Sequence, residues 1–150
     1  MRALIQRVTQ ANVLVEGKEV SAISAGLLVL VGVQKGDTPS DAEYLARKTA
    51  ALRIFEDAAG KMNLSVKDKG GQALVVSQFT LAGDTSRGNR PGFDGAAKPE
   101  DAKPLYEYYC DCLCKQGVPV ATGIFQADMQ VALINDGPVT FMLEKSNQTR

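Results

Sequence analysis

The stretch Leu74-Val75-Val76-Ser77-Gln78-Phe79-Thr80-Leu81 decides how the chain is read. Aliphatic residues give way to hydroxyl and amide side chains with no turn signal between them, which describes a buried strand whose end emerges into a site. Alternation along a regular strand puts Val76, Gln78 and Thr80 on one face and Ser77, Phe79 and Leu81 on the other. The segment that follows, from Ala82 to Gly92, is glycine-rich, polar and basic through Arg87 and Arg90. That composition suits a functional loop hung on a rigid strand, so a pocket mouth is expected there.

Upstream, Arg2 to Val8 and Asn12 to Val15 alternate between apolar and polar residues. Glu16-Gly17-Lys18-Glu19 then turns the chain into a hairpin that continues through Val20 to Ile23. Gly26 to Val33 is a near-continuous aliphatic run, expected near the sheet centre with both faces covered. Thr38 as N-cap and Pro39 at the first helical position open a helix whose apolar stripe is Ala42, Leu45, Ala46, Thr49 and Leu52. Arg53 to Glu56 reads as a short strand, and Lys61 to Val66 as a segment that forms a hairpin with the strand entering at Leu74.

Downstream of the basic loop, Pro99 to Gln116 reads as a second helix with Leu105, Tyr108, Tyr109 and Cys112 on its buried side. Pro104 is costly inside a helix, by about 3 kcal/mol. An N-cap at Asp101 would place it in the first turn and remove the difficulty. Val118 to Phe125, Asp128 to Ile134 and Val139 to Glu144 read as strands, the last two separated by a break at Asp136-Gly137-Pro138. The count, about seven or eight strands with two main helices, predicts a compact single α/β domain of mixed or mostly antiparallel β-sheet layers. Residues 1 to 145 would form it, with 146 to 150 a polar tail.

Composition narrows the chemistry. With 17 basic and 17 acidic residues the chain has no net charge, so any contact with RNA must come from a local patch. No apolar run is long enough to span a membrane and the first residues lack a signal-type core, which predicts a soluble cytoplasmic protein. Histidine is absent. Triads and general bases built on imidazole are therefore excluded. Cys110, Cys112 and Cys114 fall on the second helix, where only the first and last share a face. Structural zinc usually takes four ligands, so reduced thiols are the favoured reading.

Several residues carry two readings. Asn135-Asp136-Gly137-Pro138-Val139-Thr140 is an ordinary tight turn by residue type. Alternatively, a cis X-Pro bond there directs two successive carbonyls the same way, toward an ammonium group, while the glycine admits a close approach. Ser77 and Thr80 are structural hydroxyls or nucleophiles, though no base is in evidence. Arg87 and Arg90, with Lys98 nearby, bind phosphate or merely solvate a loop. Arg7 is a salt-bridging residue by default, and Tyr106, Tyr108 and Tyr109 suit helix packing.

Taken together, Ser77-Gln78-Phe79-Thr80-Leu81 and Asn135-Asp136-Gly137-Pro138-Val139-Thr140 resemble the paired signature motifs of the D-aminoacyl-tRNA deacylases, also called D-tyrosyl-tRNA deacylases. The similarity extends through Ala3-Leu4-Ile5-Gln6-Arg7-Val8, Arg53-Ile54-Phe55, Gly60-Lys61-Met62-Asn63-Leu64 and Ala127-Asp128-Met129-Gln130-Val131. It implies a domain with two helices packed on one side of the sheet layers. It further implies a homodimeric tRNA-editing esterase, without cofactor or metal. Its active site would lie at the subunit interface and bind the 3′-terminal adenosine of aminoacyl-tRNA.

The substrates implied are D-aminoacyl-tRNA and glycyl-tRNA mischarged on tRNA-Ala. By the same resemblance Gly137 and Pro138, joined by a cis bond and donated by the partner subunit, would hold the substrate amino group and exclude an L side chain. Catalysis would fall to Ser77, Gln78, Phe79 and Thr80. Backbone N–H groups around Phe79 and Thr80 would polarise the ester and the substrate 2′-hydroxyl would assist the attack, with Thr80 as a direct nucleophile ranked second. Phe125 and Met129 would contact the adenosine, and Arg7 would steady the cis motif. The alternative is a non-catalytic dimeric module that binds nucleotides or RNA ends with the same cleft.

Overall fold

A computed structural model describes residues 1–146. The tail expected from 146 onward therefore lies, beyond Ser146, outside the described residues. The sheet is built around β1 (Arg2–Val15). Arg2 to Val8 pair antiparallel with β3 (Gly26–Gly32), and Ala11 to Val15 pair antiparallel with β2 (Lys18–Ile23). Glu16 and Gly17 take φ of 51° and 77° between β1 and β2, the left-handed pair that matches the twist of a tight hairpin.

The aliphatic run is central, as its composition predicts. β6 (Gln72–Ser77) pairs with the other edge of β3 in parallel, and β7 (Val120–Thr122) adds in parallel to β6. A parallel neighbour requires a crossover, supplied here by α1 (Pro39–Ala51) and by the small hairpin of β4 (Phe55–Glu56) and β5 (Met62–Leu64). The expected hairpin therefore forms one element earlier. β5 returns to β4, leaving β6 to cover β3.

Both helices lie on one face of the sheet. Leu45, Ala46 and Ala50 of α1 and Tyr106, Tyr109 and Leu113 of α2 (Pro99–Lys115) share a core with Ala3, Ile5, Val29, Val31 and Val75. Each fully buried large side chain contributes about 1.5–3 kcal/mol. The opposite face has its own cluster of Val8, Ala11, Val13, Ile23, Leu28, Leu74 and Val76. Thr38 caps α1 as predicted, and the Asp41 carboxylate accepts its N–H at 2.9 Å. Leu52 ends the helix as its C-cap and is half-buried.

Three expectations for α2 need correction. Its N-cap is Lys98 with Pro99 in the first turn, not Asp101, and Pro104 lies inside the helix on an exposed position. The bond lost is the one to the Glu100 carbonyl, which sits at an exposed position where water can satisfy it. The buried stripe is Ala102, Tyr106, Tyr109, Cys110 and Leu113, because the helix is rotated so that the Tyr109 hydroxyl meets Thr49 Oγ1 of α1 at 2.8 Å. Leu105, Tyr108 and Cys112 fall at the margin of the core, half-buried.

The C-terminal region departs furthest from expectation. Residues 118 to 125 contribute only β7, and the two strands expected on either side of Asp136-Gly137-Pro138 are one, β8 (Gln130–Glu144). Both halves of β8 pair antiparallel with β1, Thr140 opposite Gln6 and Asn135 opposite Val8. The chain never reverses. Asp136, Gly137, Pro138 and Val139 instead stand opposite Arg7 alone and are extruded as a bulge.

Candidate active site

β6 stops at Ser77 because β3, its partner, stops at Gly32. The Gln78 N–H makes a last bond to the Val31 carbonyl at 2.7 Å, and Phe79–Ala82 wind into a 3-10 helix. Strand alternation therefore fails from Gln78 onward. The turn sits directly on β3, since a Cβ on Gly32 would lie 2.8 Å from Leu81 Cβ and 3.1 Å from the Gln78 carbonyl oxygen. Arg2 braces it from β1: Nη1 donates to the Leu81 carbonyl at 2.6 Å while Nε pairs with the Glu144 carboxylate at 3.4 Å. The Gln78 side-chain amide donates to Thr80 Oγ1.

A cleft of about 590 Å³ opens beside this turn. Val76, Ser77, Gln78 and Phe79 form one wall, and Phe125, Gln126, Ala127 and Met129 the other. Tyr106 packs on Phe125 with ring centroids 6.0 Å apart and donates its hydroxyl to the Val75 carbonyl at 2.8 Å. Burial raises the Tyr106 pKa well above its ordinary value, so the phenol remains a neutral donor. Gly123 makes room for Met129, whose sulfur lies 2.6 Å from where a Cβ would stand. The result is an apolar slot with a polar rim, the usual form of a small-ligand site.

The bulge in β8 holds a second group of the residues expected at the site. The Gly137–Pro138 peptide is cis, and Gly137 has φ of 144°. A side chain at Gly137 would meet Val139 Cγ2 at 2.6 Å and Arg7 Nη2 at 3.2 Å, so glycine is required on both counts. Asn135 closes the base of the bulge by accepting the Val139 N–H on its side-chain oxygen at 2.6 Å and donating to Thr140 Oγ1 at 3.0 Å. Arg7 is 6% exposed and ties the bulge to the body of the molecule. Its Nε donates to the Asp136 carbonyl at 2.9 Å and its Nη1 to the Ile54 carbonyl at 2.7 Å. The salt-bridging default holds only weakly, the Asp136 carboxylate being 3.8 Å away.

The structure thus brings Ser77, Gln78, Phe79, Phe125 and Met129 together around one cleft, with Thr80 exposed just beyond its rim. Arg7, Gly137 and Pro138 form a separate group that does not line this cleft. Asp136, Gly137 and Pro138 are exposed on β8, which pairs only with β1 among the described residues, while Val139 is buried.

Comparison with known proteins decides what this arrangement belongs to. A family model described as D-Tyr-tRNA(Tyr) deacylase matches residues 4–144. The chain belongs to the D-Tyr-tRNA(Tyr) deacylase family. A D-aminoacyl-tRNA deacylase from Geotalea uraniireducens is 60% identical over 144 residues, covering 96% of this chain and 93% of the relative. Among solved structures, one titled c-Myc DNA Unwinding Element Binding Protein matches with a TM-score of 0.92 and 43% identity, over 97% of this chain and 99% of the other. Another, titled as a structural analysis of a probable eukaryotic D-amino acid tRNA deacylase, matches with a TM-score of 0.82 over 95% and 97%. At 18% identity that second likeness speaks for the fold alone.

Within this deacylase fold, sequence reasoning missed Arg2, Gly32, Gln126 and the side-chain role of Asn135. Gly32 alone left a signal, as an isolated glycine between Val31 and Val33 in a buried strand. The cysteines of α2 lie outside the cleft group: Cys110 is buried, Cys112 half-buried and Cys114 exposed. Burial pushes the Cys110 thiol up to about 12.

Proposed function

We propose that this deacylase hydrolyses the ester between a D-amino acid, or glycine, and the 3′-terminal adenosine of tRNA. It would act as a homodimer in which the partner's bulge completes each cleft. The observation that carries the reading is the division of the site: within one protomer the cleft has a catalytic turn and an apolar wall, while the Gly137–Pro138 bulge points elsewhere from a free edge. That edge is long, and Ile134, Phe141 and Met142 on it are 52%, 40% and 48% exposed. An open, apolar strand edge of this kind is what a second copy would cover.

The chemistry follows from the turn. Phe79 and Thr80 open the 3-10 helix, positions whose N–H groups have no acceptor inside it, so they are available to a developing oxyanion. Donors fixed in this way need no titrating group, and the chain has no histidine to supply one. The 2′-hydroxyl of the terminal ribose assists water in attacking the carbonyl carbon. The acyl–oxygen bond breaks, leaving free amino acid and tRNA. Thr80 is the weaker candidate for nucleophile, since its oxygen already accepts a hydrogen bond from Gln78 and no base faces it. Phe125 and Met129 form the apolar wall against which the adenine lies.

Selectivity comes from main chain. The Gly137 and Pro138 carbonyls of the partner hold the substrate ammonium, fixing the α-carbon so that an L side chain runs into the bulge and a D side chain points away. Glycine passes because it has nothing to exclude. Purified protein should release D-tyrosine from D-tyrosyl-tRNA and spare L-tyrosyl-tRNA. Loss of both enantiomers at the same rate rejects the selectivity mechanism. Stoichiometric binding of tRNA ends without ester cleavage points to the non-catalytic module instead.

A further inference from the structure

The cleft accounts for the end of a tRNA, while nothing described so far accounts for the rest of it. We infer that the arm from Asp84 to Phe93 is the docking element for the phosphate backbone of the RNA strand leaving the cleft, with Arg87 and Arg90 as its contacts. This rests on the reading that the cleft takes the terminal adenosine.

The first support is the arm's position, because both of its ends are anchored on the turn that walls the cleft. At the near end Phe93 packs edge-on against Phe79, a cleft residue, with ring centroids 5.1 Å apart. At the other end, immediately before Asp84, the Gly83 N–H donates to the Thr80 carbonyl of the turn at 3.0 Å. The arm is a defined hairpin: Asp84 and Gly92 exchange backbone bonds of 2.7 and 2.8 Å, and Gly88 at the tip has φ of 74°. Its base is consequently fixed to the turn beside the slot, and the two arginines lie on the hairpin that rises from that base.

Charge is the second support. Thr85 to Pro91 carries two arginines and no acid, in a chain with no net charge. Both arginines are exposed, and neither has an acidic partner among the described residues. The flanking acids are Asp84, whose carboxylate accepts the Ser86 N–H at 2.9 Å, and Asp94 beyond Phe93, and neither pairs with an arginine of the arm. Two free guanidinium forks beside a slot for a nucleotide match the phosphates that follow that nucleotide. An acidic peptide has no equivalent reason to begin at this slot.

The test compares wild type with the Arg87→Gln/Arg90→Gln double variant, and uses deacylated tRNA as the binding probe. Each phosphate contact adds about 0.7–0.9 to the salt slope, so losing two makes wild-type affinity fall about 7- to 12-fold more than the variant's between 50 and 200 mM salt. Hydrolysis of the fragment D-tyrosyl-adenosine should be the same for both proteins, and Arg87→Lys/Arg90→Lys should restore most of the slope. Equal slopes for wild type and the Gln variant overturn the inference. Fragment hydrolysis that falls in parallel with tRNA binding overturns it too, since the arm would then act inside the cleft. Wild type that cleaves neither fragment nor D-tyrosyl-tRNA defeats the proposed function, while the slope comparison still judges the arm independently.

Discussion

Replacing Arg7 with methionine retains the length of the side chain and deletes its donors. Two charge-assisted bonds are lost, at 2.9 Å to Asp136 and 2.7 Å to Ile54, from a residue that is 6% exposed. Bonds to a charged group contribute about 1.5–3 kcal/mol each. Water can replace the one to Asp136, an exposed residue, so the net cost should be about 2–4 kcal/mol. For a domain of this size that lowers Tm by about 4–16 °C in thermal unfolding. Arg7→Lys can satisfy one carbonyl and should lose about half as much. The functional effect should be distinct from the thermal one: with the tether gone the bulge relaxes, and about 1.4 kcal/mol of lost discrimination lowers the D:L rate ratio tenfold. Steady-state cleavage of D- and L-tyrosyl-tRNA below the melting range reads it. A variant that is destabilised as expected but still rejects L-substrate undiminished refutes Arg7 as the positioning residue of the bulge.

Other perturbations separate the parts of the site. Gly137→Ala forces a side chain into φ of 144° and against Val139, with a backbone cost of about 1–3 kcal/mol, and should reduce L-rejection more than it reduces stability. Parallel unfolding and cleavage measurements distinguish the two. Gly32→Ala pushes on Leu81 and so on the Phe79–Ala82 turn. Overpacking of about 1–3 kcal/mol should lower kcat while KM for tRNA stays near wild type. For the thiols, a pKa raised by burial means Cys110 stays protonated at pH 8. A disulfide reagent should then modify Cys114 first and Cys110 only after unfolding, and rapid native labelling of Cys110 contradicts its placement.

Much of the fold was legible because it rests on local pattern. Thr38-Pro39 marks a helix start, Glu16-Gly17 a tight turn and Gly26 to Val33 a buried strand through chemistry that neighbouring residues supply themselves. What stayed hidden depends on partners distant in sequence. That Asp136-Gly137-Pro138 is a bulge rather than a turn follows only from both flanks pairing with β1. That Gln78 leaves the strand follows from where β3 ends, and the face α2 buries follows from Thr49 sixty residues away. Residue types left Ser77, Thr80 and Gly137–Pro138 with two readings each, and the resemblance to the deacylase motifs joined them into one expected site. Only the folded chain shows them as separate surfaces.

That separation can be tested by mixing two disabled proteins. Gly32→Val displaces the catalytic turn and Gly137→Val blocks the bulge, and each alone should be inactive on D-tyrosyl-tRNA. When the two are unfolded together and refolded, the proposed homodimer would be mixed in half of its copies, and each mixed dimer would have one site with an intact turn from one copy and an intact bulge from the other. The account predicts recovery of about a quarter of wild-type activity. A mixture that remains as inactive as its components, while forming mixed dimers, contradicts it.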